Sequence, residues 1–392
     1  MRQYLPLFKN GFLPRYSFPN YNIVTTDFKG HQMKAMTRFF KILPQLNFIL
    51  ELRDLRAPLS TRNPLFDQLL LQDKSRKVKK LVVYTKKDMM LSGNNSNENQ
   101  DIIQKLQNWH GAINEMFMVI NCNDRQDVSN LLKVIKYQKE LFEDQNDLLP
   151  MGYKVLVSGM PNVGKSTLVN ALRGISGATN SQKRKNKVAR TGGQAGVTRS
   201  TSELIRISPD SESSAIYLID SPGISLPGRM TNSTNKMLPL SLCGCVKSNL
   251  VDPTIIADYL LYLLNLQTSK AFERYPGELE DPSNDINEVL TRLDKSSSRK
   301  TSKKTRYSRF IIDGEPDYNS IAAIWVNKWR QHQKGDVGVF FDPEILLDTT
   351  EFSYKDYTRR ETQKIQEYFN IGDKMKKKHA MAPTIRNVDD LF

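Results

Sequence analysis

The stretch "YKVLVSGMPNVGKSTLVNALRG", residues 153–174, decides the fold. Residues 153–158 are an apolar, valine-rich run of strand length, and "STLVNALRG" has helical spacing. Between them "GMPNVGKS" (159–166) satisfies the phosphate-loop pattern G-x-x-x-x-G-K-[ST]. Each position has a mechanical reason. Gly159 and Gly164 let backbone N–H groups face phosphate oxygens, and Lys165 places a charge at the outer phosphates. The Ser166 hydroxyl is a ligand for Mg²⁺, and the helix that starts there aims its positive end at the anion. A glycine turn that matched by accident would lack the strand before and the helix after.

Such a loop says nucleotide without saying which base. The guanine reader Asn/Thr-Lys-x-Asp belongs downstream, and none is found there; "VNKWR" ends in Arg330 instead of an acid. The match is "TKKD", Thr85 to Asp88, which lies 159 − 85 = 74 positions upstream. It follows the strand-like run "KLVVY" (80–84). Asp88 accepts from the N1–H and 2-amino group of guanine, whereas adenine offers neither donor and leaves a desolvated carboxylate unpaired. Lys86 packs its stem over the base, and Thr85 stands where Asn is commoner. After a further apolar run, "INCND" sets Asn121 and Cys122 over the guanine edge.

Downstream of the loop, "YLIDSPG" (217–223) closes another strand. Asp-x-Pro-Gly alone is ordinary turn chemistry. Here Asp220 comes 220 − 166 = 54 positions after Ser166, at a strand end, which makes it the metal-side motif. Asp220 holds Mg²⁺ through water, and the Gly223 N–H meets the γ-phosphate. Between them "GVTRST" (196–201) offers Thr198 as the hydroxyl that closes on the metal, with Thr201 competing. Gly196 and the basic "QKRKNKVAR" (182–190) fit a switch. The nucleotide set is thus Thr85, Lys86, Asp88, Asn121, Cys122, Asn162, Val163, Gly164, Lys165, Ser166, Thr167 and Gly223. The metal set is Ser166, Thr198 and Asp220.

Six apolar runs read as strands: 48–52, 80–84, 116–120, 153–158, 203–207 and 215–219. Helix-length stretches lie between them, which predicts an α/β sheet of mostly parallel strands with ligands at the strand carboxyl ends. After about residue 235 the spacing turns helical, as in "PTIIADYLLYLLNLQ", "SNDINEVLTRL" and "SIAAIWVNKWRQH". This predicts an α/β domain over 21–240 and a helical domain over 241–392. "IIADYLLYLLNL" (255–266) is too short to span a bilayer and reads as a packed amphipathic helix. "LSGNNSNENQ" (91–100) reads as a surface loop. "KSSSRKTSKKTRYSR" (295–309) reads as a mobile basic loop.

The chain has 392 residues, a formal charge of +15 and a pI near 9.5, a balance that favours a polyanionic partner such as nucleic acid or an anionic membrane face. Basic clusters at 295–309 and in "KMKKKH" (374–379) suit RNA phosphates; the alternative is solvated charge. Three cysteines without a framework argue for a reducing compartment, and Cys243-Gly-Cys245 lacks the second pair a zinc site needs. Residues 1–26 hold Arg2, Lys9 and Arg15 and no acid, the pattern of a mitochondrial targeting segment, placed at 1–20. The alternative is an N-terminal arm docked on the domain.

The order guanine reader, phosphate loop, switch, D-x-P-G is a circular permutation of the Ras-like order. Permutation is tolerated where chain ends lie close together at the surface. The arrangement resembles the YlqF/RbgA family of circularly permuted GTPases, in its mitochondrial branch, over roughly residues 18 to 270. "FKGHQMKAM" (28–36) is similar to that family's leading G-H-M-x-K-A element. "LELRDLRAPLSTRNP" (50–64) is similar to its D-A-R-x-P-x-S-x-x-N-P element. Departures are Thr85, Ala195 before Gly196, and Gln32.

The resemblance implies a slow GTPase that assembles the mitochondrial large ribosomal subunit. It further implies Mg²⁺, contact with rRNA and ribosomal proteins, and a place in the matrix, peripheral to the inner membrane. An rRNA-binding scaffold with incidental hydrolysis, or a relative acting on other ribosomes, is the competing reading. Ras orients water with a Gln directly after its D-x-x-G; here that position is Ile224. Two candidates supply the missing group. Asn162 resembles the Asn that binds K⁺ in potassium-activated GTPases, against a loop-shaping hydrogen bond. His31 is the family's catalytic candidate, against a helix-capping or ribosome-contact role.

Overall fold

The structure is a computed structural model. It describes residues 12–21, 23, 41–72, 78–91, 96–145, 149, 151–175, 204–208, 215–225, 234–267, 281–299, 311–312, 315–331, 338–346 and 352–380. His31, Thr198, Thr201 and the 182–190 segment lie outside the described residues.

All six apolar runs are strands of one sheet: β1 (Phe48–Asp54), β2 (Lys79–Thr85), β3 (Met116–Val119), β4 (Tyr153–Gly159), β5 (Leu204–Arg206) and β6 (Ile216–Asp220). Their spatial order is β3-β2-β1-β4-β6-β5. Every neighbouring pair is parallel except β5 with β6. Every residue of β1 and β4 is buried. That is why those runs lack the alternation of a half-wet strand: parallel strands in the centre are covered on both faces. Helices α1 (Leu65–Gln72), α2 (Ser96–Gly111), α3 (Arg125–Gln145) and α4 (Lys165–Ile175) make the crossovers. The first part of α2 falls in the predicted 91–100 loop; Ser and Asn, which suit helix starts as well as loops, masked it.

The base-side strand β2 and the phosphate-loop strand β4 flank β1, so the two motifs meet although the chain presents them in reverse order. The register Leu52↔Gly159 sets the end of β1 beside the start of the phosphate loop.

Among the described residues six helices follow: α5 (Thr234–Leu242), α6 (Pro253–Gln267), α7 (Ile286–Arg299), α8 (Tyr318–Gln331), α9 (Pro343–Leu346) and α10 (Tyr354–Ala380). Helix α6 is not amphipathic. Residues from Ile256 to Asn265 are buried without interruption, because α5, α7, α8 and α9 all pack on it. One apolar cluster runs from Val155 and Leu168 under the sheet to Leu261 in α6 and Trp325 in α8. Helix α7 continues through residues 295–299, the first part of the predicted basic loop; 300–309 lie outside the described residues. The basic 374–379 run lies within α10.

Residues 12–21 dock on α6. Arg15 forms an ion pair with Asp258 at 2.6 Å, and Phe18 packs edge-on to Tyr259. For this part of the predicted targeting segment the docked-arm alternative is the one observed. Among the described residues no helix is long and apolar enough to cross a membrane.

Candidate nucleotide site

The phosphate loop turns sharply between β4 and α4. A Cβ on Gly159 would lie 2.4 Å from the Leu52 carbonyl oxygen, so the β1–β4 contact leaves no room for a side chain. Asn162 takes the left-handed conformation, φ 59°, which Asn tolerates better than most residues. Its Nδ2 donates to the Cys243 carbonyl at 3.1 Å, just after α5. This is the loop-shaping bond weighed against a K⁺ role.

Lys165 is buried, and its Nζ donates to the Met160 carbonyl at 2.6 Å, inside the loop. Burial pulls its pKa down to about 8, against the pull of Asp220. Asp220, at the end of β6, is fully buried, and neither carboxylate oxygen has a hydrogen-bond partner. Burial pushes its pKa up to about 6, although Lys165 opposes that. A buried carboxylate without partners is an unfavourable arrangement unless a cation joins it. Asp220 and the Ser166 hydroxyl are hard oxygen donors of the kind Mg²⁺ takes with water and phosphate. These residues therefore fit Mg²⁺.

The D-x-P-G turn packs on the phosphate loop. A Cβ on Gly223 would lie 2.6 Å from Pro161 Cα, and the Ile224 N–H donates to the Gly159 carbonyl at 3.2 Å. Ile224 itself is fully buried in the core cluster, so the position Ras gives to its water-orienting Gln holds no polar group. Asn63 supports this turn, with Nδ2 donating to the Ile224 carbonyl at 2.8 Å.

The base-side loops meet the phosphate loop from the other flank. Thr85 Oγ1 donates to the Val163 carbonyl at 2.7 Å, so the Thr-for-Asn departure still ties β2 to the phosphate loop. Lys86 has φ 60°, and its Nζ donates to Asp54 Oδ2 at 2.7 Å. Asp88 is exposed on the short 3₁₀ turn Lys87–Met89. That turn is held to the 120–122 loop by Lys87 N–H on the Ile120 carbonyl, 3.2 Å, and to α3 by Lys87 Nζ on Asp127, 3.1 Å. The Asn121 N–H donates to Asp127 Oδ2 at 2.8 Å. Burial, with Asp88 beside it, pushes the Cys122 thiol up to about 12. A cleft of about 620 Å³ between these loops and the helices is lined by Lys86, Asn162, Lys247, Asn327 and Arg330.

Sequence reasoning did not find the roles of Asp54 and Asn63. Both fall in the 50–64 element, which was legible as a resemblance and not as a mechanism.

A second set of buried charges lies on the sheet. Ligand atoms of Glu51, Asp67 and Glu115 lie within 4.8 Å of one another, a spacing that would suit a metal. Lys80 Nζ occupies it, at 3.0, 2.6 and 2.7 Å from the three. Arg53 takes both Glu51 oxygens at 2.9 Å and donates to Tyr354 Oη at 2.9 Å, tying α10 to the sheet. Burial works against the Glu51 anion, but Arg53 and Lys80 overcome it and hold its pKa down to about 2. Further out, Asp342 accepts the Leu59 and Ser60 N–H groups at 2.7 and 3.2 Å. Burial, with Glu344 beside it, pushes that carboxyl up to about 7.

The arrangement gathers the phosphate loop, the Asp220 turn and the Thr85–Asp88 loop at the carboxyl ends of β4, β6 and β2, with Thr85–Asp88 first in the chain. A family model described as "50S ribosome-binding GTPase" matches residues 154–303, from the phosphate-loop strand onward, and so leaves out Thr85–Asp88. "Mitochondrial GTPase 1" of Saccharomyces cerevisiae is 48% identical over 374 residues, 94% of each chain. The chain belongs to the mitochondrial GTPase 1 family. "Mitochondrial ribosome-associated GTPase 1" of Xenopus tropicalis is 32% identical over 79% of this chain and 92% of its own. The protein of the same name from Bos taurus is 31% identical over 81% and 89%. As a member of this GTPase family the chain binds guanine nucleotide with Mg²⁺.

Proposed function

We propose that this GTPase is an assembly factor for the mitochondrial large ribosomal subunit and thereby supports mitochondrial translation. The observation that carries this reading is the similarity, along nearly the whole of both chains, to a relative named mitochondrial GTPase 1. The names of the vertebrate relatives add the ribosome, and the charge of +15 suits rRNA. The protein works in the matrix, peripheral to the inner membrane. The N-terminal segment 1–20 is its targeting segment, of which residues 12–20 dock on α6.

In this reading Asp88, Lys86, Asn121 and Cys122 hold guanine. Gly164, Lys165, Ser166, Thr167 and Gly223 hold phosphates, and Ser166, Asp220 and Thr198 hold Mg²⁺. Bound Mg²⁺ neutralises charge on the β- and γ-phosphates. Because Ile224 is buried and apolar, intrinsic turnover is slow and the subunit supplies what is missing. His31 is the candidate group. K⁺ at Asn162 is the other: the Cys243 carbonyl takes Nδ2, which leaves Oδ1 as the end of the amide that accepts a cation. Faster hydrolysis in KCl than in NaCl supports K⁺, and equal rates discard it.

The test is cosedimentation of the purified protein with mitochondrial large subunits, in a non-hydrolysable GTP analogue and in GDP, at two salt concentrations. Binding with the analogue alone, together with subunit-stimulated hydrolysis, is the expected result. Equal binding in both nucleotides would leave GTP a structural ligand of a scaffold. No binding overturns the ribosomal reading.

A further inference from the structure

Lys86 holds a left-handed backbone, φ 60°, which a side-chain-bearing residue keeps only where its surroundings impose it. The surroundings are explicit. Lys86 Nζ donates to the buried Asp54 at 2.7 Å. The same carboxylate takes Arg56 three times, through its N–H and Nε at 3.0 Å and Nη2 at 2.8 Å. Arg56 lies over the Phe341 ring, 4.9 Å from its centroid, and reaches the Arg330 carbonyl in α8 at 3.4 Å. Arg330 in turn donates to the Ser241 carbonyl, two residues before the Cys243 carbonyl that holds Asn162. A continuous set of contacts therefore runs from the base-side lysine to the phosphate loop by way of the helices.

We propose that Asp54 is a positioning residue for guanine-nucleotide binding, which rests on the guanine-site reading above. It anchors the Lys86 ammonium so that the lysine stem is already laid where a purine ring stacks. Arg56 holds the Asp54 carboxylate in place for that contact. A free lysine side chain must be ordered when ligand binds, and one already anchored loses less entropy. Asp54 acts through Lys86, so its effect should vanish once Lys86 no longer carries an ammonium.

The experiment is a double-mutant cycle on the full chain, read by mant-GDP affinity and by the KM and kcat of GTP hydrolysis. Asp54→Asn is expected to weaken mant-GDP about tenfold and to raise KM while kcat stays within about twofold. Lys86→Met is expected to weaken binding by a similar factor, and the double variant to be no weaker than the weaker single. Wild-type affinity in Asp54→Asn overturns the proposal, as do losses that multiply in the double variant. Should Asp54→Asn not fold, Asp54→Asn with Arg56→Gln removes one charge of each sign and still leaves Lys86 unanchored. The same tenfold loss is expected there, and unchanged affinity is overturning. Wild-type protein that binds mant-ADP as well as mant-GDP overturns the guanine-site reading and this inference with it. A guanine-selective wild type with multiplying losses overturns the inference alone.

Discussion

At the end of β6 one buried carboxylate, Asp220, has no partner, while on the β1–β2 part of the same sheet three carboxylates crowd around Lys80. Both groups are withdrawn from water, and their electrostatics run in opposite directions. Burial lifts Asp220 to about 6, whereas Arg53 and Lys80 hold Glu51 down to about 2. A cluster whose counter-charges are supplied by the chain is finished, and it holds α10 to the sheet. A buried carboxylate whose oxygens have no hydrogen-bond partner, with Lys165 only near it, has room for a further cation. Proximity of acids alone, which points at Glu51, Asp67 and Glu115, selects the wrong one of the two.

The contrast breaks most visibly at Lys80. Lys80→Met leaves Glu51 to Arg53, Asp67 to Arg62, and Glu115 to Arg53 and His110, and we expect a loss of roughly 3–5 kcal/mol, seen as a lower denaturation midpoint. A change within error would mean the cluster is not a structural clamp.

Asp220→Asn should do the reverse. It removes a lone buried charge, so nucleotide-free protein is expected to gain about 1–2 kcal/mol. The same variant should lose the extra stabilisation that Mg²⁺ and GDP give the wild type. Thermal melts with and without Mg·GDP read both effects, and a variant less stable than wild type in both would show that Asp220 is structural.

Thr85→Val keeps shape and deletes the hydroxyl that bonds the Val163 and Arg53 carbonyls. We expect about 1 kcal/mol of stability lost and a few-fold weaker mant-GDP binding. Unchanged affinity would separate the β2 tie from nucleotide binding.

The smallest effect concerns Asp342, which lies in neither cluster. An unfolded Asp titrates near 3.9, and here the folded group titrates at about 7. Between these values the folded state binds more protons, so stability falls as pH rises. Asp342→Asn should flatten the fall between pH 6 and 7.5 by roughly 1 kcal/mol, measured by denaturant titration at both pH values.

The strands were legible because β-branched runs bounded by polar motif residues have few other fates, and the permuted order was legible because each motif carries its chemistry locally. Helix α6 was misread for a reason of distance. Its polar members, Asp258 and Asn265, look like a wet face, but Asp258 is answered by Arg15 and Asn265 donates to the Ser283 carbonyl. Likewise Lys80 and Glu51 sit in separate strands, and nothing local announces that they pair. Lys86 was read as a cover for the base, while the Asp54 that holds its other end lies 86 − 54 = 32 positions away.

The central place of β1 has a consequence for how the chain comes into being. Its two neighbours are β2, close in sequence, and β4, about a hundred residues later. At ribosomal synthesis rates of about 5–20 residues per second, that second neighbour is delayed by roughly 5–20 s. Through that interval β1 presents an open row of backbone donors and acceptors bordered by apolar side chains, the kind of edge that recruits foreign strands. The arrival of the phosphate-loop strand is what closes it. The strand that leads into the phosphate loop is thus also the one that closes the β1 edge.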